Sequence, residues 1–460
     1  IPVHLGAMGA TVRHLLSRPD RLLADGQCWA VNDPSAGGSH LPDITVITPV
    51  FFGQRRPQAF VACRAHHADV GGVSPGSMPP FSRQLVEEGV LLDAVLVADA
   101  EGLRSEPVRS LLCGGPHPSR RPDQCLADLA AQVRANQLGV GLLNDWVQVA
   151  SLDSLRQDMA AILDNGRASV QRLLQELELN KGCFSCAMDD GSPVCVSLQI
   201  AADGDGRHRL TVDFEGTADA SAGNLNAPPA VVIAATIYVL RALIGEDIPL
   251  SDGCLRDVEL RVPPGSLLAP PRGAAVVGGN VETSQRIVDV LLGALGVSAA
   301  AQGTMNNLCL GGSELAYYET ICGGTGAGPA QAGSDAVHSH MTNTRITDVE
   351  VLERNYPVVL KEFSVRRGSG GRGRWAGGDG ARRVFQFRAP LEVSLLAQRR
   401  VLAPFGLQGG GAGAVGRSVL WRAATGRSEE LSGSFALSLS AGDQLCIETP
   451  GGGGWGEESS

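Results

Sequence analysis

NDPSAGGSHLPDITVITPVFFGQRRPQAFVACRAHHADVGG, residues 32–72, gathers three of the chain's nine histidines beside acidic residues. His40 and Asp43 stand in His-x-x-Asp spacing just before Ile44 to Phe52, a β-branched and apolar run that reads as a strand. A second such run, Gln58 to Arg64, leads into His66, His67 and Asp69. Gly53 to Pro57 supplies turn chemistry between them, so the two runs read as a hairpin. If Phe52 faces Pro57, the pairing sets Asp43 opposite His66, with His40 one turn of chain away. Two imidazoles and a carboxylate at the open end of a hairpin suit a divalent cation that keeps a position for water. The same residues also suit loop histidines that only hydrogen-bond backbone.

Working outward, 460 residues with 43% hydrophobic content can bury a large core in more than one subdomain. A net charge of −10 argues against nucleic-acid or anionic-membrane partners, whose surfaces reward Lys and Arg. The short basic run Arg366 to Arg374 reads as a solvated loop or a subunit contact in an oligomer. The 11 cysteines are odd in number and scattered, with only Cys183 and Cys186 in C-x-x-C spacing, so reduced thiols in a cytoplasmic protein are expected. IPVHLGAMG lacks the basic start and apolar region of a signal peptide, and Ala230 to Leu240 is too short to span a bilayer and reads as a buried helix.

The expected fold is α+β: a mixed body over 1–355 with a helical block, then a β-rich subdomain over 356–460. Met8 to Leu16 fits a short amphipathic helix. Leu126, Leu129, Ala130 and Val133, then Leu152, Leu155, Met159, Ile162 and Leu163, then Val170, Leu173, Leu174 and Leu177 recur at helical spacing and read as core. Asp189-Asp190-Gly191 reads as a turn into Val194 to Ile200, with Arg209 to Phe214 a second strand. Ala274 to Val277 reads as a strand meeting Gly278-Gly279-Asn280 and then a helix capped by Thr283 or Ser284. A glycine turn at a helix N-terminus is either an anion site or a tight connection. His338 and His340 fall on one side of any extended segment, as a second metal site, as pocket lining or as ordinary hydrogen-bonding groups. Gly323 to Gly328 lacks the Lys-Ser or Lys-Thr of a phosphate-binding loop, and the chain has no G-x-x-x-x-G-K-[ST].

AGGSHLPDITVITPVF and RAHHADVGGVSPGSMPP resemble the hydantoinase B family, and within it the carboxy-terminal half of 5-oxoprolinases. The resemblance implies a divalent metal, whether Zn, Mn, Fe or Mg, on His40, Asp43 and His66. It also implies His4, Asn280 and Thr283 as substrate contacts, and His67 or Asp69 stands close enough to the metal ligands in sequence to act as general acid or base. His338 and His340 join them as candidates for the pocket. IPVHLGAM resembles a string that the family carries some way into its sequence, so the chain reads as part of something longer. The implied reaction is ATP-dependent opening of 5-oxo-L-proline to L-glutamate, with ATP bound by a hydantoinase-A-like domain or subunit. Opening of a hydantoin or another lactam, a ketone carboxylase large subunit, a metal amidohydrolase needing no ATP, and a non-catalytic scaffold are the alternatives.

Overall fold

Strands Asp43–Val50 and Ala59–His66 pair antiparallel with Asp43 opposite His66, the register that the turn predicts. Phe52 and Gly53 reverse the chain, both at positive φ. The computed structural model describes residues 2–177, 179–312 and 315–458. The hairpin forms one side of an antiparallel sheet continued by Cys28–Val31, Val95–Asp99 and Gly102–Leu103. Alternation gives the sheet two distinct faces. Ile44 and Val46 pack on Leu126, Leu129 and Val133 of helix Pro122–Ala150, whereas Ile47 joins Leu15 of helix Met8–Leu16 on the other face. On the first face Gln132 and Asn136, one helical turn apart, donate to the Ile44 and Val46 carbonyls, both at 2.9 Å. This locks the helix to the hairpin at a fixed height. Asp43, Arg64 and His66 belong to the opposite face.

Helices Pro122–Ala150 and Leu152–Glu176 form a long pair. Leu155, Val170, Leu173 and Leu174 are buried as their spacing requires. Met159 and Ile162 depart from expectation, being 50% and 41% exposed. Leu142 and Trp146 of the facing helix are exposed as well, so among the described residues no third layer covers this end of the pair.

A second sheet orders Lys181–Ala187, Pro193–Ala202 and His208–Asp213 antiparallel, with Val258–Arg261 added parallel. Helices Pro229–Ile244 and Ser284–Leu295 pack into the core it shares, and the first is the buried apolar helix expected from the sequence. Among the described residues no helix is long and apolar enough to cross a membrane. The eleven cysteines are all free.

The expected boundary at 355/356 does not divide the hydrogen bonding. Strands Asn307–Gly311 and Ala316–Thr320 lie before it, yet Asn307–Gly311 pairs with Leu391–Leu396, which in turn pairs with Phe435–Leu439. This sheet packs against another, Val358–Arg366, Gly380–Phe387, Gln444–Glu448, Arg417–Arg422 and Arg427–Leu431, over Leu308, Leu395, Phe385 and Leu445. The architecture is α+β, with the β-rich layer recruiting strands from both sides of the expected boundary.

Beside this sandwich the glycine-rich segments meet one another. Gly452 donates to the Gly378 carbonyl at 2.9 Å, Gly371 donates to the Gly452 carbonyl at 2.8 Å, and Gly324 donates to the Pro450 carbonyl at 3.1 Å. The final glycine run therefore approaches other backbone segments of its own chain, as does the loop at 323–328.

Candidate metal centre

The segment before Asp43 is held from several directions. Asn32 donates to the carbonyls of Leu41 and Val90 and accepts from the Leu92 amide. Gly37, at φ 84°, brings the turn against helix Met8–Leu16, where a Cβ would lie 2.8 Å from the Thr11 amide. His40 and Asp43 follow, both about 1% exposed.

His40 Nε2 lies 3.0 Å from Asp43 Oδ2, while Ser39 Oγ donates to that same oxygen at 2.7 Å. His4, brought in by the short helix Pro2–His4, places Nε2 3.4 Å from Asp43 Oδ1. His66 lies across the hairpin, its ring centroid 5.1 Å from that of His40. One ligand atom each from His40, Asp43 and His66 can be chosen so that all three lie within 4.8 Å of one another. Despite the short separation, His40 Nε2 is not aligned for a hydrogen bond to Asp43; both His40 ring nitrogens and Asp43 Oδ1 are buried without a hydrogen-bond partner among the described residues. Buried polar atoms are normally satisfied, so converging unpaired lone pairs fit a cation better than a closed network. The N₂O donor set suits a borderline divalent metal.

Burial alone would raise the Asp43 carboxyl, but the imidazoles of His4 and His40 hold it well below the usual carboxylate range. Protein packed around His66, the one exposed member of the three, and burial of His4 lower both imidazoles from their ordinary range, so both rings are neutral at pH 7 and offer lone pairs. The site opens on a cavity of about 340 Å³ whose wall includes His4, His40, Arg64, His66, Asn280 and Tyr318. Tyr318 comes from the β-rich layer and stacks on His66, with ring centroids 5.3 Å apart and planes 13° apart. Its hydroxyl donates to Asn307 Oδ1, and Asn307 Nδ2 donates to Glu282, a carboxyl pushed up by burial to about 8.

Several expected roles change. His67 follows His66 but points to the opposite face, buried, with Nε2 3.0 Å from Gln132 Oε1. Asp69 accepts from the amides of Gly71, Gly76 and Arg120 and pairs with the Arg120 guanidinium. Both are committed away from the cavity, and sequence adjacency alone suggested otherwise. Thr283 does stand at the N-cap of helix Ser284–Leu295, but its hydroxyl donates to the Leu225 carbonyl and that of Ser284 to the Asn280 carbonyl, so neither side chain caps the helix. Asn280 does line the cavity, with its Oδ1 buried and unpaired among the described residues. His340 adopts φ 54°, which breaks the extended geometry expected for its segment. Its Nδ1 lies 3.3 Å from the Tyr238 hydroxyl and its Nε2 3.7 Å from Asp289. Neither His338 nor His340 enters the metal-suited cluster found among the described residues or lines this cavity. Sequence reasoning passed over Arg64 and Tyr318. Arg64 was accessible to it, two residues before His66 on the same strand face; Tyr318 gave no local signal.

The expected strand Ala274 to Val277 is also corrected: only Ala274 makes a bridge, to Gln84, and helix begins at Val277. Its N-terminus does meet an acceptor, but that acceptor is the Glu88 carboxyl, which accepts from the amides of Val276 and Val277 at 3.0 Å each and from Ser82 Oγ at 2.8 Å. Burial pushes this carboxyl from an ordinary 4.5 up to about 7. A raised carboxyl favours folding while protonated, so its contribution is complete below 4.5 and is lost as pH rises through about 7. Glu88→Gln should remove from the stability-pH curve a decline on the order of 3 kcal/mol. Denaturant unfolding at pH 5 and pH 8 checks this, and equal pH dependence in both proteins would refute it.

The hydantoinase B/oxoprolinase family model matches residues 1–458. The chain is 44% identical to 5-oxoprolinase 1 of Arabidopsis thaliana, over 99% of this chain and 37% of that protein. It is 42% identical to a 5-oxoprolinase of Saccharomyces cerevisiae, over 99% of this chain and 38% of the other. It thus spans less than two fifths of the length of these relatives. The ATP-dependent caprolactamase of Pseudomonas jessenii has the same fold, with a TM-score of 0.88 at 22% identity, covering 99% of this chain and 82% of that one. A nucleotide-free acetone carboxylase superposes with a TM-score of 0.85 at 18% identity, covering 99% and 68%. With the match extending through both the metal-suited hairpin and the glycine-rich end, this chain belongs to the hydantoinase B/oxoprolinase family.

Proposed function

We propose that this chain supplies the ring-opening site for ATP-dependent hydrolysis of 5-oxo-L-proline to L-glutamate, with a hydantoinase-A-like domain or subunit supplying ATP activation. The observation that carries this reading is the convergence of His40, Asp43 and His66, with His40 and Asp43 Oδ1 lacking hydrogen-bond partners among the described residues, beside a cavity sized for a small ring whose wall His40 and His66 join. The identity of 41–44% to proteins named 5-oxoprolinases supports the substrate. The names of the caprolactamase and carboxylase, both ATP-dependent, support the coupling.

His40, Asp43 and His66 would hold the metal, and Zn, Mn or Fe suits two imidazoles better than Mg. When bound, such a metal polarises a carbonyl and lowers the pKa of a water. The protein's own groups do the rest. Ser39 fixes one Asp43 oxygen and the Tyr318 ring fixes the plane of His66, so the ligands are set before a cation arrives. His4, neutral at pH 7 and on the cavity wall, takes the place that His67 and Asp69 vacate: it accepts the proton of an attacking water and returns it to the leaving ring nitrogen. Asn280 offers its unpaired amide oxygen to the lactam N–H.

The test is reconstitution with a hydantoinase-A-like partner, following glutamate and ADP together. Equimolar, partner-dependent formation of both from 5-oxo-L-proline is expected. Opening of hydantoins but not 5-oxoproline, or ring opening by this chain alone without ATP, would replace the proposal with one of the alternatives.

A further inference from the structure

The proposed cavity wall contains a cation that the metal centre does not use. Arg64 faces Thr45 across the hairpin, two residues from His66 and on the same sheet face. Its Nε donates to Thr45 Oγ1 at 2.7 Å and its Nη2 to the Gly37 carbonyl at 2.8 Å, which fixes the plane of the guanidinium. Nη1 is buried with no partner among the described residues. Among the described residues no carboxylate lies within 4.0 Å of Arg64. Asp43, whose charge favours the guanidinium, already serves His4, His40 and Ser39. Leaving a buried charged donor short of a partner is costly, which is why such groups commonly mark a ligand position.

The setting indicates the sign of that ligand. Arg64 and His4 line both the inner cavity and an adjoining one of about 450 Å³. Among the described residues the inner wall carries three imidazoles and this guanidinium but no acidic side chain, whereas Asp252 lines the adjoining cavity. A dication on the three ligands, together with Arg64 and Asp43, would leave two net positive charges beside the cavity. A ligand with one carboxylate lowers that charge and meets a planar, always-charged fork suited to carboxylate geometry.

We propose that Arg64 is the carboxylate subsite of this cavity, so that it selects lactams bearing a carboxylate over uncharged lactams and hydantoins. The inference rests on the lactam reading above and deepens it. 5-Oxo-L-proline carries such a group beside its ring nitrogen, and 2-pyrrolidinone is the same ring without it.

Isothermal titration of the metal-loaded protein with both compounds tests this. Wild type should bind 5-oxo-L-proline at least about tenfold tighter than 2-pyrrolidinone. Arg64→Met should weaken 5-oxo-L-proline by about tenfold to a hundredfold, with little change for 2-pyrrolidinone. Arg64→Lys, which keeps the charge and loses the fork, should fall between; circular dichroism and metal content confirm that each variant is folded and loaded. Metal-dependent binding of both rings with equal affinity, or equal losses for both in Arg64→Met, would overturn the subsite while leaving the lactam reading intact. Failure of wild type to bind either ring, or binding indifferent to metal, would overturn both.

Discussion

Asp43→Asn should emerge folded but without metal, its affinity lowered by at least about a hundredfold and its turnover in the reconstituted system lost with it. Asp43 is the one carboxylate among the proposed ligands, and the imidazoles beside it already keep it ionised. The amide is isosteric and retains the Ser39 contact, so the loss reports coordination rather than a cavity. Ser39→Ala removes only the hydrogen bond that orients Asp43 and should cost about tenfold in metal affinity. His67→Asn provides the counter-test, since His67 faces Gln132 on the other side of the sheet and the variant should retain its metal. Elemental analysis after dialysis against a weak chelator gives all three results. Stoichiometric metal in Asp43→Asn would dismiss the site, and loss of metal in folded His67→Asn would restore His67 to it.

That contrast shows where the sequence was legible. The hairpin could be read because a short turn fixes an antiparallel register, and the register sets which side chains face each other. His67 was misplaced because chain proximity stood in for facing, although alternation sends consecutive residues to opposite sides. Arg64 was within reach of the same rule. Tyr318 was not, because its place against His66 depends on strand Ala316–Thr320 joining a sheet completed by residues beyond 390. The β-branched Val276 and Val277 suggested a strand locally, but the Glu88 carboxyl accepts from their amides and favours a helix start. That acceptor lies about 190 residues away in sequence, a range at which local propensity is overridden.

Gly452→Ala should be among the most damaging single substitutions in the chain, costing at least about 3–5 kcal/mol or abolishing soluble expression. The cause is contact rather than conformational freedom. A Cβ at Gly452 would stand 1.9 Å from the Thr325 carbonyl oxygen and 2.3 Å from its carbon, and both belong to backbone that cannot swing aside as a side chain could. The Gly452 amide is donated to Gly378 and its carbonyl accepts from Gly371, so displacing the segment breaks bonds in two neighbouring strands of chain. The facing position is equally crowded: a Cβ at Gly324 would lie 1.9 Å from the Gly378 carbonyl oxygen. With no room on either side, the strain has nowhere to relax, and overpacking exceeds its usual cost. Gly141→Ala supplies the opposite sign, since Gly141 lies inside helix Pro122–Ala150 with open space where its Cβ would go. Alanine there should stabilise by about 0.5–1 kcal/mol, because glycine in a helix interior costs about that much. Thermal unfolding of the two variants beside wild type decides the matter. A Gly452→Ala protein that melts within a few degrees of wild type would mean that these backbone segments are not packed as closely as their hydrogen bonds require.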